Sequence, residues 1–133
     1  MGAANGSFGD SDLQEIQLVL VYGTLKRGQC NHHRLSGSAC LGTARLRGLA
    51  LYDLGPFPMA IPCPDSDAVL QGEVYAVGDD QLLALDRFEG VPRLYDRQRH
   101  RLDGGQSVWV YVGRPMQVRN VRRIPSGQWP GPP

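Results

Sequence analysis

A chain of 133 residues with 41% hydrophobic and 20% charged side chains fits one globular core and leaves little room for a second domain. Seventeen glycines and ten prolines demand many turns and make helix the minority element. Fourteen basic against thirteen acidic side chains leave a net charge of +1, too small a field to hold nucleic acid or an anionic membrane.

Residues 1–14 are rich in glycine, serine and acid with little to bury, and are expected to form a mobile tail. They lack the apolar centre of a secretion signal, and no apolar run approaches the roughly 20 residues of a bilayer span. The expectation is a soluble cytoplasmic protein with one domain over 15–129 and a proline-rich C-terminal tail over 130–133.

A strand is expected over Leu18 to Tyr22, inside the stretch LVLVYGTLKRGQCN. It runs straight into Tyr22-Gly23-Thr24-Leu25 and then into Lys26 and Arg27. There is no GxxxxGK pattern and no Rossmann spacing, so the glycine does not point to a nucleotide. Two readings stand. Gly23 simply ends a strand beside solvated cations, or the turn aims successive backbone N–H groups at one carboxylate, with Lys26 adding charge at the rim. A short helix over Asn31 to Ser36 is compatible with the sequence, although no periodicity supports it.

Three cysteines, Cys30, Cys40 and Cys63, cannot all pair within one chain, and their spacing fits no zinc pattern. They are read as reduced thiols. Cys30, His32 and His33 do not make a metal site on an extended segment, where neighbouring side chains point to opposite faces. No metal and no cofactor are expected.

Further strands are expected over Gly42 to Tyr52 and Val69 to Val77, followed by the one segment with helical character, GDDQLLALDRFEG. Asp79 or Asp80 can cap its start and Gly90 can close its end. Leu82, Leu85 and Glu89 stand at i, i+3 and i+7, so an acid shares a stripe with two leucines. Glu89 then either forms a structural ion pair with Arg87, Arg93 or Arg97, or is held partly away from water with its pKa raised toward neutrality. The second state suits a group that takes a proton and returns it. Asp53, Asp65, Asp67 and Asp103 sit in loop-like settings and are read as surface groups.

Arg97 to Leu102 and Ser107 to Val112 read as a hairpin around Asp103-Gly104-Gly105. A last strand is allowed over Met116 to Arg122. The basic clusters Arg97 to Arg101 and Arg119 to Arg123 raise the alternative of an interaction surface, against which alternation along a strand is expected to divide their charges between two faces.

Taken in order, VYGTLKRGQCN, LGPFPMAIP, LDRFEGVPRLYDR, VWVYV and IPSGQW resemble the γ-glutamylcyclotransferase-like family, which includes the AIG2-like proteins and γ-glutamylamine cyclotransferases. The resemblance spans Leu18 to Trp129. It implies an α+β fold, a small mixed β-barrel with short flanking helices and a cavity at one mouth. It also implies a cofactor-independent enzyme that cyclises a small γ-glutamyl substrate to 5-oxoproline and releases an amine or amino acid. Transferred to this chain, the backbone of Tyr22, Gly23, Thr24 and Leu25 would hold the glutamyl moiety and Glu89 would be the catalytic carboxylate. Tyr95 and Tyr111 match aromatic positions that line the pocket or pack the core. The alternative within the same fold is a small-molecule binding module in which Glu89 is structural.

Overall fold

The computed structural model describes residues 15–133, and the expected N-terminal tail over 1–14 lies outside them. Eight strands are found among the described residues: β1 (Gln17–Val21), β2 (Ala39–Arg47), β3 (Leu49–Asp53), β4 (Pro58–Pro62), β5 (Val69–Val77), β6 (Asp96–Arg101), β7 (Ser107–Val112) and β8 (Arg123–Ile124). One α-helix, α1 (Asp79–Glu89), and two 3₁₀ turns, His32–Leu35 and Pro115–Val118, accompany them. The strands form a single mixed sheet in the order β2-β5-β1-β7-β4-β3-β8, with β6 paired to β7 off this path. This is the α+β architecture expected, with the barrel realised as a curled half-barrel.

Strand alternation divides the apolar side chains into two cores. Val19 and Val21 of β1 join Leu25, Leu35, and Leu82 and Leu85 of α1 on one face. Leu20 and Tyr22 join Leu46, Leu49, Leu70, Val110 and Trp129 on the other. Because successive strand side chains point to opposite faces, β1 is buried on both sides and reads as an unbroken apolar run. The sheet curls around the second core, and α1 covers the first.

Several sequence expectations are corrected. The candidate strand Gly42 to Tyr52 is two strands, broken at Gly48, whose φ of 83° no strand accommodates. Gly48 donates its N–H to Ala68 O and accepts from Cys63 N–H, so the break is held from both sides. Met116 to Arg122 is not a strand: Pro115, which has no N–H to give a ladder, opens the 3₁₀ turn, and pairing resumes at Arg123–Ile124. The segment Asn31 to Ser36 does contain helix, the 3₁₀ turn His32–Leu35.

The N-cap of α1 is Gly78, and Asp79 and Asp80 lie in the first turn, where their charge complements the helix dipole rather than capping it. Arg97, Arg99 and Arg101 are not divided between faces. With a period of two, alternate residues share one face, and the guanidinium carbons of Arg97 and Arg99 each lie 4.2 Å from the Trp109 ring centre. Asp53 is more than a surface group: it accepts from Gly55 N–H and pairs with Arg122 at 3.0 Å.

Candidate active site

The site begins where the sheet opens. β6 pairs with β7 along its whole length, so β1 and β4 must share the remaining edge, β1 at Trp109 and β4 at Val112. Between them the ladder forks, and the Tyr22 hydroxyl fills the gap. It donates to Tyr111 O at 2.6 Å and accepts from Ala60 N–H at 3.0 Å. Tyr22 thereby supplies hydrogen bonds that a continuous ladder would otherwise have made.

Immediately past the fork the chain turns, with Lys26 N–H donating to Gly23 O at 3.1 Å. A Cβ on Gly23 would lie 2.8 Å from both Cδ and Cγ of Pro58, so only glycine lets the turn seat against β4. Among the described residues, no acceptor takes the N–H of Gly23, Thr24 or Leu25. These are the donors a nest offers to an anion.

Glu89 arrives from the opposite side. Gly90 adopts the left-handed conformation (φ 70°, ψ 36°) and donates to Arg87 O, while Val91 N–H donates to Asp86 O at 3.0 Å. This is a Schellman closure, and it fixes Glu89 as the last residue of α1.

Turn and helix end meet across a cavity of about 340 Å³, whose walls include Gly23, Thr24, Leu25, Phe57, Phe88, Glu89 and Tyr95. Tyr22 and Tyr111 line it as well. All seven residues singled out in the sequence are therefore brought to one cavity. The hydroxyls of the three tyrosines are already committed: Tyr95 donates to Pro58 O at 2.6 Å and Tyr111 to Asp86 Oδ1 at 2.7 Å. Burial pushes all three hydroxyls up from their ordinary pKa, so at neutral pH they are donors and not bases.

Glu89 itself is half-buried, and among the described residues it forms no ion pair or hydrogen bond. Arg97, one of its expected partners, is paired with Asp86 at 2.9 Å. Loss of water raises the Glu89 carboxyl to about 7, against a smaller opposing pull from the Arg34 charge. A carboxyl at that value exchanges a proton near neutrality, which is the condition for acid/base work.

Lys26 is a correction. It does not stand at the rim of this cavity but is buried on the far side of the turn, where Nζ donates to Trp129 O at 2.9 Å and anchors the C-terminal segment. Burial pulls its ammonium below its ordinary pKa, with Glu73 opposing.

Among the described residues, no group of three or more His, Cys, Asp or Glu side chains is placed to hold a metal ion. Cys30 lines the cavity, whereas His32 is turned to Leu25 O at 2.9 Å. No helix among the described residues is long and apolar enough to cross a membrane.

Residues 19–131 match the family described as Gamma-glutamyl cyclotransferase, AIG2-like. The chain belongs to this family. It is 44% identical over 93 residues to the human Gamma-glutamylaminecyclotransferase, an alignment covering 62% of this chain and 59% of the human protein. It is 34% identical over 112 residues to the Gamma-glutamylcyclotransferase family protein YtfP of Escherichia coli K12, covering 84% and 94% of the two chains. The solution structure of Escherichia coli ytfP superposes with a TM-score of 0.67 at 33% identity, over 86% of this chain and 96% of that one.

Three features of this γ-glutamylcyclotransferase-family cavity escape a reading of the sequence. Phe57 and Pro58 form a wall opposite the turn, yet their segment carries prolines at both ends of a central strand, a pattern that argues against pairing. Leu94 lines the cavity although it is 42% exposed, and nothing in its spacing marks it. Arg34 reaches α1 through the 3₁₀ turn, with its guanidinium carbon 3.9 Å from the Phe88 ring centre, and no sequence period foretells that packing.

Proposed function

We propose that this protein cyclises the γ-glutamyl group of a small substrate to 5-oxoproline and releases the amine or amino acid attached to it, with Glu89 as the general acid/base. The observation that carries the reading is the unpaired, half-buried Glu89 carboxyl across one cavity from the unspent N–H groups of Gly23, Thr24 and Leu25. The membership in the γ-glutamylcyclotransferase family supports it.

The chemistry asks little beyond positioning and proton management. Holding the glutamyl chain folded brings its α-nitrogen to the δ-carbonyl, and well-oriented intramolecular reactions reach effective molarities of roughly 10⁵ M or more. The Glu89 carboxylate takes a proton from the α-ammonium, and the freed nitrogen attacks the δ-carbon. A tetrahedral intermediate forms with its charge on oxygen. As it collapses, the bond to the leaving nitrogen breaks and Glu89 returns its proton there; the ring nitrogen, which still carries two protons after the attack, gives up the second through Glu89 to the released amine, which leaves as its ammonium, so the carboxylate and the proton count are restored. The turn N–H groups hold the anionic part of the glutamyl moiety, where loss of one such donor costs about 10²- to 10³-fold in rate if it serves the oxyanion. Phe57, Phe88 and Leu94 give the cavity apolar walls against which the folded glutamyl chain can pack.

The test is a panel of γ-glutamyl amines, γ-glutamyl amino acids and the γ-glutamyl-ε-lysine isopeptide, assayed for 5-oxoproline. Release from at least one, abolished in Glu89→Gln, is expected. Tight binding of these compounds without 5-oxoproline formation would assign the chain to the binding-module alternative.

A further inference from the structure

We propose that Leu94 selects the leaving half of the substrate, favouring one that begins with an unbranched apolar stem, and that Arg114 and Gln117 are positioning residues that hold Leu94 in the cavity wall. The proposal rests on the cyclisation reading, which puts the leaving nitrogen at Glu89.

The direction of the substrate follows from the two edges of the cavity. With the glutamyl half on the N–H groups of Gly23, Thr24 and Leu25, the scissile bond must lie within a proton transfer of Glu89. Whatever is attached to the leaving nitrogen then continues past the end of α1. Leu94 stands there. Gly90, the residue after Glu89, accepts from the N–H groups of both Arg93 and Leu94 at 2.8 and 3.0 Å, and the Leu94 Cβ comes within 3.2 Å of where a side chain on Gly90 would begin. Leu94 is exposed while Phe57 and Phe88 are half-buried, so of these three apolar walls it is the one at the opening.

An exposed leucine outside any strand or helix keeps one place only if the backbone beneath it is tied down. Here three successive carbonyls of that backbone are taken up by side chains from the 3₁₀ turn Pro115–Val118 and the residue before it. Arg114 donates from Nη2 to Arg93 O at 2.7 Å and from Nη1 to Pro92 O at 3.5 Å, and Gln117 Nε2 donates to Leu94 O at 2.8 Å. The clamp is itself fixed: Gln117 Oε1 accepts the N–H of Arg114 at 2.7 Å, and the preceding Gly113 N–H donates to Ala60 O of β4 at 2.9 Å. On the inner side, the next residue, Tyr95, is anchored to Pro58 O. Leu94 thus sits between two fixed points. Neither Arg114 nor Gln117 lines the cavity, and among the described residues Arg114 forms no ion pair, so its donors are spent on the carbonyls. Both residues act on the site through the Leu94 backbone.

The experiment uses the γ-glutamyl amides of methylamine, ethylamine, propylamine and butylamine, whose leaving nitrogens differ little in basicity and whose stems differ only in length. 5-Oxoproline release is measured for each, and binding of the same compounds to Glu89→Gln, with and without Leu94→Ala, by calorimetry. In the wild type kcat/KM should rise about twofold per methylene, half in free energy of what full burial brings because Leu94 is 42% exposed, so butyl should exceed methyl about eightfold. The gain should appear in KM, since the stem packs equally in ground and transition states. Leu94→Ala should cut it to about twofold or less, and Gln117→Ala and Arg114→Ala should each lower it to about fourfold or less. Gln117→Glu, which keeps the acceptor for Arg114 N–H but loses the donor to Leu94 O, should match Gln117→Ala and takes its place if that variant fails to fold. A wild-type series with no gain in chain length, or a Leu94→Ala variant that keeps the full gain, would overturn the assignment to Leu94. Full gain in both folded clamp variants would overturn the roles of Arg114 and Gln117. A wild type that releases 5-oxoproline from none of the four would instead overturn the cyclisation reading, and the affinities for Glu89→Gln would still decide whether Leu94 reads the stem.

Discussion

Replacing Glu89 by glutamine keeps the side-chain volume and a hydrogen-bonding end while removing the ability to take up a proton at neutral pH. Turnover should fall by roughly 10²-fold or more, the usual contribution of a positioned acid/base. The same substitution has a stability signature whose sign can be worked out. The folded carboxyl titrates near 7 and its ordinary value is 4.5, so the folded protein holds this proton more tightly than the unfolded chain does. The stability it contributes is fully present below about 4.5 and is lost as pH rises through about 7. At pH 8 the wild type carries a desolvated charge that glutamine does not. The full shift sets a ceiling of about 3 kcal/mol, and because the side chain is only half-buried a gain of about 1–2 kcal/mol is expected for the variant. That corresponds to a rise in Tm of several degrees at pH 8 relative to wild type, shrinking toward zero at pH 4.5. Thermal melts at both pH values and 5-oxoproline release, measured on one sample, supply the assay. A variant that melts lower at pH 8 while retaining turnover would refute the reasoning, because it would make Glu89 a structural partner rather than an isolated base.

Gly23→Val forces a Cβ into Pro58 and displaces the turn, so it should reduce kcat/KM far more than Lys26→Ala, whose effect should appear as a loss of about 1–3 kcal/mol in a denaturant titration because the Trp129 carbonyl loses its donor. Equal and mild kinetic effects from both changes would remove the case for a substrate-binding turn. Tyr22→Phe strands a buried carbonyl on Tyr111 and a buried N–H on Ala60, and should lower stability by about 2–4 kcal/mol in the same measurement; an unchanged midpoint would mean that the fork does not depend on the hydroxyl.

Much of the cavity is legible in the sequence because its two active edges are local devices. The turn after β1 announces itself by a glycine and a polar run after buried residues. Glu89 announces itself by phase, sharing a helical stripe with Leu82 and Leu85, both buried. What is not legible is set by contacts across the fold. Lys26 lies beside the turn in sequence, yet which side of the turn it takes depends on Trp129, 103 residues away. β4 is hidden because Pro58 and Pro62 stand at its ends, where no ladder N–H is required of them, while Met59, Ala60 and Ile61 between them pair as an ordinary central strand. The three arginines of β6 were visible as a cluster, but their shared face follows from the two-residue period that applies only once a strand is granted.

The closure of α1 at Gly90 also acts as a phase lock on the chain. Each residue advances an α-helix by about 100°, so inserting or deleting a single residue between Gly78 and Gly90 would swing the terminal carboxylate roughly a quarter-turn away from the cavity while leaving composition and helix propensity almost untouched. Solvent-facing positions such as Leu83 and Arg87 should therefore accept other side chains, whereas the number of residues between the two glycines sets the direction in which one oxygen pair points. At this helix, register matters more than the chemistry of any one exposed side chain.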